Sequence, residues 1–299
     1  MRWLCLPLVT LSFMLSGAQV TAQATTATNA PATRSAAKVK VDDIRRMTTP
    51  DGVEFGVWGK TSNTPTSTLI VLSGAMVDTF TKGSFLKAGE ILGPRGYLCV
   101  SIDLPNHGSQ VKEGYSGVTG WAKRATEGDD FVADFNRRMS KVLDHLISKG
   151  MTDPAKIAVT GTSRGGFLAM HYLAFDPRVK CAVAYAPATD LTKVKYFDFA
   201  KDALMVKQLG VGQLVPELAG KPLLLFVGDR DTGVDTESVI HLARDLSTAA
   251  MKADVPSQVE LHVVSEPRGH ALPAAINLPA AMWIYRTLEG SELFNPSLQ

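Results

Sequence analysis

The stretch Gly161-Thr162-Ser163-Arg164-Gly165 stands where one apolar run, Ile157-Ala158-Val159, ends and an apolar segment of helical period begins at Phe167. A serine hydroxyl is a poor nucleophile until a base takes its proton, and a histidine base needs an acid to fix its tautomer. The chain supplies both, in the order serine, aspartate, histidine. Asp229 and Asp231 follow the apolar run Leu223 to Val227, and His270 stands in a loop just beyond the last such run. A sharp strand-to-helix turn flanked by glycines would lift Ser163 above a sheet, and the next helix would aim the positive end of its dipole at a developing oxyanion. Serine is also a common helix cap, and the pattern by itself leaves that use open.

A sheet has to hold these three positions together. From Thr68 the chain alternates helical segments with the runs "TLIVLSG", "GYLCVSID", "KIAVTG", "KCAVAYAP", "PLLLFVGD" and "VELHVVS". Strands apolar on both faces belong to a parallel sheet covered by helices on both sides. Phe131, Phe135, Met139, Val142, Leu143 and Leu146 form one stripe of a helix between the second and third runs. Ahead of them, Pro50-Asp51-Gly52 followed by alternating Val53, Phe55 and Val57 predicts a β-hairpin. The expected fold is α/β: a doubly wound, mostly parallel sheet with an N-terminal antiparallel hairpin, forming one domain over residues 39–299. In such sheets the site lies at the carboxyl ends of the strands, where Ser163, Asp231 and His270 all fall.

Four segments in this order, "SIDLPNHGS", "GTSRGG", "GDRDTGV" and "RGH", resemble those of the α/β-hydrolase superfamily from about residue 43 to 290, in its dienelactone-hydrolase and prolyl-oligopeptidase-like branch. The resemblance implies Ser163 as nucleophile, His270 as base and Asp231, three residues before Val234, as the acid. Asp229, and Asp190 in "APATDL", stay open as alternatives. It also implies an oxyanion hole made by the backbone N–H of Arg164 and that of Ala75 or Met76 in "LSGAM", although this chain has Ser73-Gly74 where the family usually has His-Gly. The implied activity is hydrolysis of small soluble esters through an acyl-enzyme, with no cofactor and no metal. A serine peptidase of prolyl-oligopeptidase type, which normally carries an accessory recognition domain not expected here, and a non-catalytic binding protein are the alternatives.

Arg164 invites a second use, because a guanidinium beside the nucleophile can hold a substrate carboxylate by two parallel hydrogen bonds. The competing use is an outward arginine paired with a local acid. Residues 104–130, with Tyr115 and Trp121, and residues 188–220 are expected to wall an open substrate pocket. His107 is expected to brace a turn, and His145, His171, His241 and His262 to be structural.

The 299 residues are 45% hydrophobic and 20% charged, with a net charge of +2. No long run of one sign marks a nucleic-acid or membrane surface, which makes a small molecule the expected partner. Residues 1–24 read as a Sec-type signal peptide ending Ala22-Gln23-Ala24, and residues 25–38 as an Ala/Thr-rich leader, so the protein is expected to be secreted or periplasmic. A membrane anchor is the competing reading of the first segment. Cleavage would leave Cys99 and Cys181, expected as buried thiols, with a bridge between them open.

Overall fold

The computed structural model describes residues 39–60 and 62–290, so the segments read as signal peptide and leader lie outside the described residues. In chain order, strands β1 (Arg45–Thr48), β2 (Glu54–Trp58) and β3 (Thr66–Leu72) precede helices α1 (Met76–Thr81) and α2 (Lys87–Leu92). Strand β4 (Leu98–Ser101) leads to α3 (Gly117–Thr126) and α4 (Phe131–Ser148), and β5 (Thr152–Thr162) to α5 (Arg164–Phe175). After β6 (Val179–Tyr185) come α6 (Leu204–Gln208) and α7 (Val215–Leu218), then β7 (Leu223–Gly228), α8 (Thr236–Lys252), β8 (Val259–Val264) and α9 (Asn277–Glu289).

The strands form one sheet in the order β1-β2-β4-β3-β5-β6-β7-β8. β1 and β2 are antiparallel to their neighbours and every later pair is parallel, so the hairpin and the doubly wound sheet are both present. The hairpin turn closes with Thr49 N–H donating to Val53 O and Gly52 N–H to Thr49 O.

Successive strand residues point to opposite faces. Ile70 and Leu72 pack with Phe135 and Met139 of α4, Phe167 of α5 and Leu242 of α8. Leu69 and Val71 pack with Phe80 of α1, Leu92 of α2 and Ile284 of α9. Each face therefore has its own helical cover, which is why the central runs are apolar at every position. The six apolar residues that predict α4 are all buried. β8 departs from the expectation of a fully buried strand: it is an edge strand whose residues are half-buried or exposed, and none is buried.

Cys99 on β4 and Cys181 on β6 are free and buried, with β3 and β5 between their strands. Burial pushes both thiols well above their ordinary range, so they are inert packing groups rather than a bridge. Among the described residues no helix is long and apolar enough to cross a membrane.

Candidate active site

Ser163 occupies the single residue between β5 and α5, with φ +56° and ψ −114°. A non-glycine residue held there costs on the order of 1–3 kcal/mol, so its surroundings must enforce the conformation. Ser163 N–H donates to Tyr185 O at 2.8 Å, and Ser163 O accepts from Phe167 N–H at 3.0 Å and Ala188 N–H at 3.3 Å. The two glycines of the motif let the elbow close. A Cβ on Gly161 would lie 2.1 Å from Gly165 O, and one on Gly165 would lie 2.0 Å from Leu72 O, distances no real side chain tolerates. Although Ser163 is the N-cap residue of α5, its side chain makes no capping bond. Its Oγ lies 3.0 Å from His270 Nε2 instead.

His270 sits in the loop between β8 and α9, its side chain 40% exposed. Its Nδ1 lies 2.8 Å from Asp231 Oδ2 and 3.1 Å from Oδ1. A carboxylate only accepts, so Nδ1 carries the proton and Nε2 offers its lone pair to the serine hydroxyl. Asp231, in the loop after β7, is buried. Its Oδ1 also accepts from Gly233 N–H at 2.8 Å and Val234 N–H at 3.3 Å. Burial works to raise this carboxyl, but the hydrogen bond and charge of His270 and the two backbone donors outweigh it and hold the group below its ordinary value. Asp231 thus stays ionised beside the imidazole.

The two other aspartates face elsewhere. Asp229 accepts from Arg230 and from Glu266 N–H, and Asp190 caps the turn at Thr192. The structure therefore brings Ser163, His270 and Asp231 together and leaves Asp229 and Asp190 out.

Of the backbone donors expected at the oxyanion, the N–H groups of Arg164 and Ala75 have no hydrogen-bond partner among the described residues. Met76 corrects the expectation. Its N–H donates to Asp103 Oδ1 at 2.7 Å and is not free for a ligand. Asp103 belongs to the segment "SIDLPNHGS", whose pattern assigns it no role; its Oδ2 accepts from Ser109 N–H at 2.7 Å, so one carboxylate ties the loop after β3 to the loop after β4.

The pocket walls also differ from expectation. Trp121 is buried, donates its indole N–H to Pro105 O and packs on Phe131, so it is core rather than substrate wall. Tyr115 donates to Glu127 and does not line the cavity at Ser163. That cavity, about 650 Å³, is bounded by Ser84, Phe85 and Ala88 ahead of and within α2 and by Leu272, Pro273 and Ile276 beyond His270. These small and apolar residues carry no period or motif, and only their places after β3 and β8 could have pointed to them. His107 does brace a turn, its Nδ1 lying 2.8 Å from Pro105 O. His171 is buried on α5 with Nε2 2.9 Å from Leu209 O, and burial lowers its pKa to about 4, which keeps it neutral and structural.

Comparison with known proteins follows the same lines. The model of the prolyl oligopeptidase family matches residues 121–275, a span that holds Ser163, Asp231 and His270. Over 133 residues, 44% of the chain, the sequence is 29% identical to acylamino-acid-releasing enzyme 1 of Oryza sativa subsp. japonica, of whose length the match spans 15%. The Pyrococcus furiosus esterase Pf2001 superposes with TM-score 0.58 at 24% identity, covering 82% of this chain and 92% of that one. TT1662 of Thermus thermophilus does so with TM-score 0.63 at 20% identity, covering 83% and 98%. The two structures share the α/β-hydrolase fold with this chain.

Proposed function

The chain belongs to the prolyl oligopeptidase family as a serine hydrolase of esterase or peptidase type, and from that premise we propose that it is a carboxylesterase acting on small soluble esters. The observation that carries the reading is the continuous hydrogen-bonded line from Ser163 Oγ through His270 to the buried Asp231, open to a cavity of about 650 Å³.

In this reading Ser163 Oγ attacks the ester carbonyl as its proton passes to His270 Nε2. The tetrahedral oxyanion is held by the N–H groups of Ala75 and Arg164, each worth roughly 3 kcal/mol in sites built this way. The imidazolium, paired to Asp231, returns the proton to the leaving alcohol. Water then enters by the same base and releases the acid and the free serine. Each step uses groups already in place, and none calls for a cofactor.

The test is intact-mass analysis after treatment with a fluorophosphonate. One adduct is expected on the wild type and none on Ser163→Ala. Parallel assay of alkyl esters and aminoacyl amides then separates the bonds. Turnover of the esters at least a hundredfold faster in kcat/KM is expected, and faster turnover of the amides would instead make the protein a peptidase. We propose export as well: the protein recovered from its source cell should begin at or near Thr25, and an intact Met1 terminus would refute this.

A further inference from the structure

Two cavities meet beside Ser163. The larger one, described above, is lined by Ser163 and His270. A smaller one of about 300 Å³ is lined by Gly74, Ala75, Asn106 and His107, and the Arg164 side chain borders both. The guanidinium lies against the loop after β3: a Cβ on Gly74 would be 3.0 Å from Arg164 Nη2, so glycine there leaves the space the cation fills.

The cations around these cavities differ in one respect. Lys82 is paired with Asp78 at 2.7 Å, Lys87 with Glu90 at 2.6 Å and Arg268 with Glu266 at 2.5 Å. Arg164 has no carboxylate partner and no hydrogen bond among the described residues, and its Nε is buried without an acceptor. Burial draws its pKa down by more than the charges of Tyr196 and Asp78 restore, the direction expected of a cation short of water. Asp78, the acid that lines the smaller cavity, is already committed to Lys82. His107 adds no anion. Its Nδ1–H is donated to Pro105 O, and burial together with the Arg164 charge lowers its pKa, leaving a neutral ring with Nε2 as an acceptor. A half-buried guanidinium without a partner is costly, whereas one meeting a carboxylate gains a charge-assisted, two-pronged contact.

We propose that Arg164 binds a carboxylate on the acyl part of the substrate, so that the preferred esters are half-esters of short dicarboxylic acids. The proposal rests on the esterase reading above. Direction follows from the proton: the leaving oxygen must come within reach of His270, which lines the larger cavity, so the alcohol lies there and the acyl chain runs past Ala75 into the smaller one. The same arginine thereby serves the oxyanion through its backbone and the acyl carboxylate through its side chain.

The test compares monoethyl succinate with ethyl butanoate, of equal acyl length, on wild type, Arg164→Gln and Arg164→Lys, following ethanol release. The wild type is expected to favour the half-ester by tenfold or more in kcat/KM. Arg164→Gln should lower that ratio at least tenfold, chiefly through KM, and Arg164→Lys should keep part of it. Free succinate should compete with ethyl butanoate on the wild type and not on Arg164→Gln. An unchanged ratio in Arg164→Gln, no preference in the wild type, or a serine that takes the fluorophosphonate while neither ester turns over would each overturn the assignment. Absence of the adduct on folded wild type would sink the hydrolase reading itself and the assignment with it.

Discussion

Asp103 touches no substrate in the proposed mechanism, yet it occupies the N–H of Met76 and so sets the peptide that precedes it, where Ala75 presents its own N–H. Removing the carboxylate in Asp103→Ala frees the loops after β3 and β4 from each other and lets the oxyanion donor drift. We expect kcat for an ester to fall by about tenfold or more, up to the roughly 10² to 10³ that loss of one oxyanion donor costs, with the far-UV circular dichroism unchanged. A fall in KM-limited binding alone, with kcat intact, would refute a positioning role. At Asp231 the argument is sharper, since the carboxylate both fixes the tautomer of His270 and balances its charge. Asp231→Asn should lower kcat by about 10⁴ with the fold retained, and Asp229→Asn, whose partners are Arg230 and Glu266, should leave kcat within about twofold.

At the scale of elements, the site depends on how tightly α5 is drawn onto the ends of β3 and β5. A methyl group added at Gly165 would collide with Leu72 O, a backbone atom that cannot step aside. Gly165→Ala is therefore expected to lower stability by about 3 kcal/mol or more, read as a fall of several degrees in the thermal midpoint, whereas Gly212→Ala, with open space around it, should change little. The strands were legible in the sequence because two-sided burial writes itself as unbroken apolar runs, and α4 because its apolar residues recur at helical spacing. The elbow was legible for a related reason, since glycines flanking a serine at a strand-to-helix junction answer a steric demand. What stayed hidden were contacts made across the sheet top. Trp121 in a glycine-rich segment reads equally well as a substrate platform or a core residue, and its burial against Phe131, with its indole N–H on Pro105 O, decides for the core. The capping of Met76 by Asp103 joins loops 27 residues apart and has no period to betray it.

Across the whole molecule, charged groups far from the site tie the fold together. Glu289, at the end of α9, accepts from Ser67 at 2.5 Å, Tyr97 at 3.2 Å and Lys156 at 2.6 Å, fastening that helix to the end of the sheet opposite Ser163. Burial tends to raise this carboxyl, but Lys156 and the hydroxyl donors outweigh it and leave it below its ordinary value. A depressed carboxyl contributes stability that is complete above its unfolded pKa, about 4.3, and is lost as pH falls through the lower native value. The difference in thermal midpoint between wild type and Glu289→Gln should accordingly be constant near neutrality and shrink below about pH 4; a difference independent of pH would refute the charge argument. Helix α9 runs from this anchor back to the His270 loop, which hangs between it and β8. β8 pairs with β7 alone. His270 is thus carried beside an edge strand held on one side only. Ser163, by contrast, follows β5, which has a strand on either side, so the two partners of the proton transfer rest on unequal footings.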